Sequence, residues 1–237
     1  MLEAAINGSR SKPEHPSIPV ATEEISRDAA EVVKAGADAV HFHVRSREGQ
    51  ECLDAKRVAE QVFSVKHAIP GTPVGISTGA WIIPDVEQRL DAIRQWEETL
   101  PDFVSVNFDE AGAVQVAKLI LEKNIKIEAG LNTPAAAHIL VESGLSSRCL
   151  RILLEPPEQH LPAAEHTIRA IQLVLQAAHI QITRLMHGVD STSWDILLMA
   201  NRLGYDTRIG FEDTLVLPNG KLASSNASLV QTAASFL

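Results

Sequence analysis

Gly36-Ala37-Asp38-Ala39-Val40-His41-Phe42-His43-Val44-Arg45 is the stretch from which the fold is read. A helix-like segment over residues 22–35 stops at Gly36, and an apolar, β-branched run follows at once. Side chains alternate faces along a strand, so Val40, Phe42 and Val44 point one way. His41, His43 and Arg45 point the other. One face is built for a hydrophobic layer and the opposite face carries ionisable groups.

Outward from this stretch the same rhythm recurs. Strands are expected at Leu2–Ile6, Ala39–Val44, Pro73–Ser77, Phe103–Asn107, Lys126–Ala129, Cys149–Leu154, Arg184–His187 and Thr207–Phe211. Helical patterns fall at roughly 22–35, 54–68, 85–98, 110–123, 134–143, 163–178, 193–203 and 222–236. Thr22-Glu23-Glu24 and Thr133-Pro134 read as helix starts, and Gly36, Gly144 and Gly204 as stops. Eight β-then-α units, with no Pro/Gly/Ser linker between them, predict an α/β chain folded as one (β/α)₈ TIM barrel over residues 1–237. The alternative, an open doubly wound sheet, lacks a Gly-x-Gly-x-x-Gly turn after the first strand.

Composition narrows the function class. The chain is 45% hydrophobic and 22% charged, as ordinary globular proteins are. A net charge of −9 argues against nucleic acid, whose phosphates call for a basic face. No apolar run approaches the roughly 18–20 residues that span a bilayer. Residues 1–8 lack the charged and apolar regions of a signal peptide. Cys52 and Cys149 lie too far apart in sequence to suggest a disulfide framework, so a reducing cytoplasm is expected.

In a barrel, residues facing inward near the C-terminal strand ends carry the chemistry. Strand 2 offers His41, His43 and Arg45, strand 4 Ser105 and Asn107, strand 5 Lys126 and Glu128, and strand 8 Arg208 and Glu212. Charges inside a low-dielectric core must neutralise one another or hold a charged ligand. Two histidines at i, i+2 suit a metal, and Glu212 is the best third ligand, since strand 8 closes the barrel near strands 1 and 2. Asp213 is a candidate general base or a simple turn residue. Arg208 could lower a carboxylate pKa, clamp a substrate carboxylate, or balance Glu212 or Glu128. Ser77, Thr78, Ser105 and Asn107 are neutral donors for an anion, and Glu128 is grouped with them as a substrate contact. Arg10 lies in a cationic loop after strand 1 that suits an anionic substrate. His187 is open between metal ligand and substrate contact, whereas Glu110 and Glu155 read as solvated strand-end carboxylates. Ser224-Ser225-Asn226 reads as a helix cap or an anion-binding helix start.

These residues together resemble the β-keto acid cleavage enzymes, a metal-dependent (β/α)₈ family. The matching stretches are Ala5-Ile6-Asn7-Gly8, residues 36–45, Gly75-Ile76-Ser77-Thr78-Gly79, Arg208-Ile209-Gly210-Phe211-Glu212-Asp213 and Ser225-Asn226-Ala227-Ser228-Leu229-Val230. The resemblance implies reaction of a β-keto acid with acetyl-CoA, giving acetoacetate and a new acyl-CoA. It implies that His41, His43 and Glu212 hold zinc or another divalent metal, and that Asp213 is the base with Arg208 as its partner. Ser77, Ser105 and Asn107 then fall where the substrate carboxylate is held, and the protein is expected to be a homo-oligomer. Two departures stand out. Arg10 occupies the place of a family carboxylate that binds a cationic substrate group, so a neutral or acidic side chain on the keto acid is expected. The loop after strand 6, Leu154-Glu155-Pro156-Pro157-Glu158-Gln159-His160, is shorter than in longer members and bears on CoA use. A metal-dependent hydrolase or lyase acting without CoA is the competing reading, and a non-catalytic binding protein the third.

Overall fold

The computed structural model describes residues 1–237. Strands and helices alternate throughout: β1 (Leu2–Ala5), α1 (Thr22–Lys34), β2 (Ala39–Phe42), α2 (Ala55–Ala68), β3 (Val74–Ser77), α3 (Val86–Arg94), β4 (Phe103–Asn107) and α4 (Ala113–Glu122). The second half continues as β5 (Lys126–Leu131), α5 (Pro134–Ser143), β6 (Arg151–Leu154), α6 (Leu161–Ala177), β7 (Arg184–Met186), α7 (Ser193–Leu203), β8 (Asp206–Ile209) and α8 (Asn226–Ala234). All eight strands pair in parallel and in sequence order, and β8 pairs with β1 to close the barrel. The TIM barrel expected from the sequence is the observed fold. No helix is long and apolar enough to cross a membrane.

The period-2 pattern explains which residues meet the helices. Val40 and Phe42 on β2, Val104 and Val106 on β4, and Ile127 and Ala129 on β5 are buried in the layer between sheet and helices. Each fully buried Val, Ile or Phe side chain there contributes roughly 1.5–3 kcal/mol. The other parity fills the barrel interior with Glu3, His41, Ser77, Ser105, Glu128, Arg151 and Arg208. Gly75 leaves the space that the Phe103 ring takes, since a Cβ at residue 75 would lie 2.0 Å from that ring.

The element ends differ from expectation where side chains replace ladder bonds. His43 donates its backbone N–H to Asn7 Oδ1 (2.8 Å), and Phe211 donates to Asn226 Oδ1 (2.6 Å). Regular strand therefore stops at Phe42 and Ile209, just before the residues that matter. α8 begins at Asn226 rather than 222, because Leu222 bridges to Val216 and Ser225 Oγ accepts the Ser228 N–H (3.2 Å). The Ser225 cap is the helix-start reading of that segment.

Candidate metal centre and active site

Three neighbouring strands, β8, β1 and β2, build the centre. His41 and His43 point inward from β2 and its end, each almost fully buried. At the level of His41, its register partner on β1 is the small Ala5, which leaves room between β2 and β8. Gly210 permits β8 to pass closely: a Cβ there would stand 2.0 Å from Ala5 O. Gly8 does the same after β1, in the left-handed region (φ +55), where a Cβ would lie 2.5 Å from Glu212 Cγ. Asn7 Nδ2 donates to His43 O (3.1 Å) and Pro19 O (3.2 Å), while Asn226 Nδ2 donates to Ile6 O (2.7 Å) and Asp28 Oδ2 (2.6 Å). Arg45 donates to the carbonyls of Gly8 and Arg10 (3.0 Å to the latter) and pins the loop after β1.

Glu212 Oε2 lies 3.4 Å from His43 Nε2 and 3.9 Å from His41 Nε2. It is a buried carboxylate oxygen with no hydrogen-bond partner. The three donor atoms lie within 4.8 Å of one another. An unpartnered oxygen facing two imidazole nitrogens is the donor set a divalent metal uses. Burial lowers the His41 pKa to about 3, keeping that ring neutral as a ligand must be. Burial also opposes charge on His43, but Glu212 and Glu51 overcome it and raise its pKa to about 9, so an ion binding there would displace the Nε2 proton. Glu212 resists the upward pull of burial because Arg208 and His43 hold it well below the usual carboxylate range. The residues fit a divalent cation.

Arg208 organises the two acids. Its Nη2 donates to Asp213 Oδ1 (2.7 Å) and Glu212 Oε1 (3.1 Å). Asp213 is fully buried and its Oδ2 has no partner, which leaves one lone-pair-bearing atom free beside the metal ligands. His187 Nδ1 lies 3.3 Å from Asp213 Oδ1, and its Nε2 lies 3.4 Å from Glu155 Oε2. Burial and Arg208 oppose charge on His187, yet Asp213 and Glu155 carry its pKa up to about 9. The imidazole thus sits against the candidate base rather than in the ligand set.

The other expected contacts divide. Ser77 and Ser105 are register partners on β3 and β4, both facing inward. Thr78, in contrast, donates to Ser105 O (2.7 Å) and is committed to joining the strands. Asn107 Nδ2 donates to Glu110 Oε1 (3.1 Å). Arg10 stands at the rim, its Nη2 2.5 Å from Asp190 Oδ1 and its Nε 3.4 Å from Glu212 O. Glu128 is fully buried, accepts from Arg151 Nε (2.5 Å) and lies below His41 with Glu3. The geometry does not bring it among the rim groups.

Sequence reasoning missed Glu51, whose Oε1 lies 2.5 Å from His43 Nδ1 and accepts from Trp81 Nε1 (3.0 Å). It sits in a loop, where no periodicity marks an inward residue. Glu110 and Glu155 are also not simply solvated: Glu110 accepts from Ala80 N (2.8 Å), and Glu155 lies against His187. The inward parity of β6 was the available signal for Glu155, whereas Glu110 shares the outward parity of Val104, Val106 and Phe108 and carried none.

Comparison with known proteins identifies a family. A family described as beta-keto acid cleavage enzyme matches residues 1–147 and 157–237. The 3-keto-5-aminohexanoate cleavage enzyme of Fusobacterium nucleatum subsp. nucleatum is 25% identical over 244 residues, covering 98% of this chain and 88% of its own. The enzyme of the same name from Acetoanaerobium sticklandii is 24% identical over 252 residues, covering 98% and 89%. Among solved structures, the ternary complex of ObcA with a C4-CoA adduct and oxalate superposes with a TM-score of 0.76 at 15% identity. That likeness covers 93% of this chain but 63% of the ObcA chain, and it concerns the fold. With the family match spanning nearly every element and both ends of the barrel seam, the chain belongs to the beta-keto acid cleavage enzyme family, whose members cleave carbon–carbon bonds.

Proposed function

We propose that the protein converts a β-keto acid and acetyl-CoA into acetoacetate and a new acyl-CoA. The observation that carries this reading is the pair of unpartnered buried carboxylate oxygens, Glu212 Oε2 and Asp213 Oδ2, both belonging to acids held by Arg208. His41, His43 and Glu212 would hold zinc or another divalent ion, which supplies Lewis acidity at the keto oxygen. Asp213 Oδ2 accepts a proton from the carbon between keto and carboxylate groups, while Arg208 keeps its other oxygen fixed.

The carbanion attacks the acetyl carbonyl, forming a carbon–carbon bond and expelling the CoA thiolate. The thiolate adds to the original keto carbon, and the bond between that carbon and its neighbour breaks. Acyl-CoA and the carbanion of acetoacetate result, and Asp213 returns its proton to the latter. Ser77, Ser105 and Asn107 hold the substrate carboxylate, and Arg10 faces a neutral or acidic substrate side chain. ObcA, which shares the fold, is described with a C4-CoA adduct, which supports CoA as cosubstrate. The reading also includes a homo-oligomer in the cytoplasm, where Cys52 and Cys149 remain free thiols.

One observation favours cleavage without CoA: the family match breaks over residues 148–156, leading into the loop after β6. Assay of a keto-acid panel with and without acetyl-CoA decides between the two, because turnover without thioester excludes acyl transfer. Preference for amino-bearing keto acids over dicarboxylic ones would overturn the role given to Arg10. In the acyl-transfer reading, Asp213→Asn lowers kcat by roughly 10²–10⁴-fold with metal content unchanged.

A further inference from the structure

The two histidines of the centre are supported unequally. His41 Nδ1 is buried without a hydrogen-bond partner, whereas His43 Nδ1 meets Glu51 Oε1 at 2.5 Å. The acid arrives by a short excursion after β2. Gly49 turns the chain at φ +83, Ser46 N–H donates to Gln50 O (2.7 Å), and Arg45 bridges to Glu51. This return brings residue 51 back beside His43, with its side chain only 13% exposed. The same Oε1 accepts the Trp81 indole N–H, and the indole stacks on His43 with ring centroids 6.0 Å apart and planes 27° apart. Trp81 reaches this position because Gly79 has no Cβ, which would stand 2.3 Å from the indole ring. Loops from two strands therefore converge on the outer edge of one ligand.

We propose that Glu51 is a positioning residue for the metal: it holds the His43 proton on Nδ1, presents the Nε2 lone pair to the ion, and ties metal occupancy to Trp81. The imidazole has two tautomers, and only the one protonated at Nδ1 leaves Nε2 free to coordinate. A carboxylate accepting that N–H fixes both tautomer and ring orientation, and loss of such a partner commonly weakens metal binding 10–100-fold. The indole bond to Glu51 makes the Trp81 environment depend on the same carboxylate. This inference rests on His41, His43 and Glu212 holding a divalent ion.

The test is zinc titration of the full-length, chelator-stripped protein against a chromophoric chelator, with tryptophan emission followed in parallel. Glu51→Ala should weaken zinc binding about 10–100-fold. Glu51→Gln, which keeps a neutral acceptor, should fall between Glu51→Ala and wild type. Zinc should change the emission of wild type, and Trp81→Phe should remove that change while Trp96 and Trp194 remain. Zinc affinity of Glu51→Ala equal to wild type, with apo melting unchanged, overturns the inference and leaves the metal site standing. Should Glu51→Ala not fold, Glu51→Gln decides, and wild-type affinity in that variant is the overturning result. Absence of stoichiometric zinc uptake by wild type itself overturns the metal reading, and this inference with it.

Discussion

Replacing Arg151 with methionine tests the ionic floor beneath the active site. Arg151 rises from β6 into the barrel, its side chain 8% exposed, and stands 2.5 Å from both Glu3 Oε2 and Glu128 Oε1. Asp206 lies at 3.7 Å, and the guanidinium carbon stands 5.5 Å from the centre of the Phe103 ring. Burial and the neighbouring Glu128 carboxylate hold the Glu3 pKa well above its ordinary value, so Glu3 resists ionising beside a single arginine. Methionine fills similar volume but leaves a buried carboxylate unopposed, which costs about 3–5 kcal/mol. Unfolding entropy near 2.1 cal/mol/K per residue gives roughly 0.5 kcal/mol/K for a chain of this size, so Tm should drop by about 6–10 °C. Thermal and urea unfolding at pH 7, followed by circular dichroism, measures this. The triple variant Glu3→Gln, Glu128→Gln, Arg151→Met should recover most of the loss, because no isolated charge remains. A single variant within about 1 kcal/mol of wild type refutes the argument, because such a loss is only what a typical substitution costs. It would also reopen Glu128 as a substrate contact.

Two further outcomes follow from close contacts and buried charge. Gly8→Ala places a methyl 2.5 Å from Glu212 Cγ at positive φ, so zinc affinity should fall by at least tenfold, and equilibrium dialysis showing wild-type affinity contradicts the ligand geometry. Asp28, buried beside Asn226, has its pKa raised by burial from 3.8 to about 7. The folded state holds this proton more tightly than the unfolded chain, so its stabilising effect is complete below pH 3.8 and declines as pH rises to about 7. That loss amounts to about 4 kcal/mol at most, and Asp28→Asn should flatten the fall in urea midpoint across this window. Parallel pH profiles for the two proteins would show that Asp28 is not responsible.

The barrel was legible because its periodicity is unambiguous: Val40, Phe42 and Val44 against His41, His43 and Arg45 cannot be a helix face. Parity also identified His41, His43, Glu128 and Arg208 as inward residues. It could not give depth along the barrel axis, which the stagger of parallel strands sets. Glu128 is inward as expected but lies in the floor with Arg151 instead of at the rim. Thr78 follows the same logic in reverse, since its parity turns it to the neighbouring strand's carbonyl. Glu51 was illegible for a different reason. Its role depends on a turn returning the chain to His43, and nothing local to Gln50-Glu51-Cys52 records that approach.

The candidate ligand trio flanks the join where β1 meets β8, so one ion would grip the second and the last staves of the cylinder. A nascent polypeptide must finish its last strand before that grip exists, making ion capture a late event in folding. Once captured, the ion acts as a clasp across the seam and resists any opening of the ring there. Stripping it should therefore loosen amide protons of β8 and β1 before those of β4 and β5 on the far side.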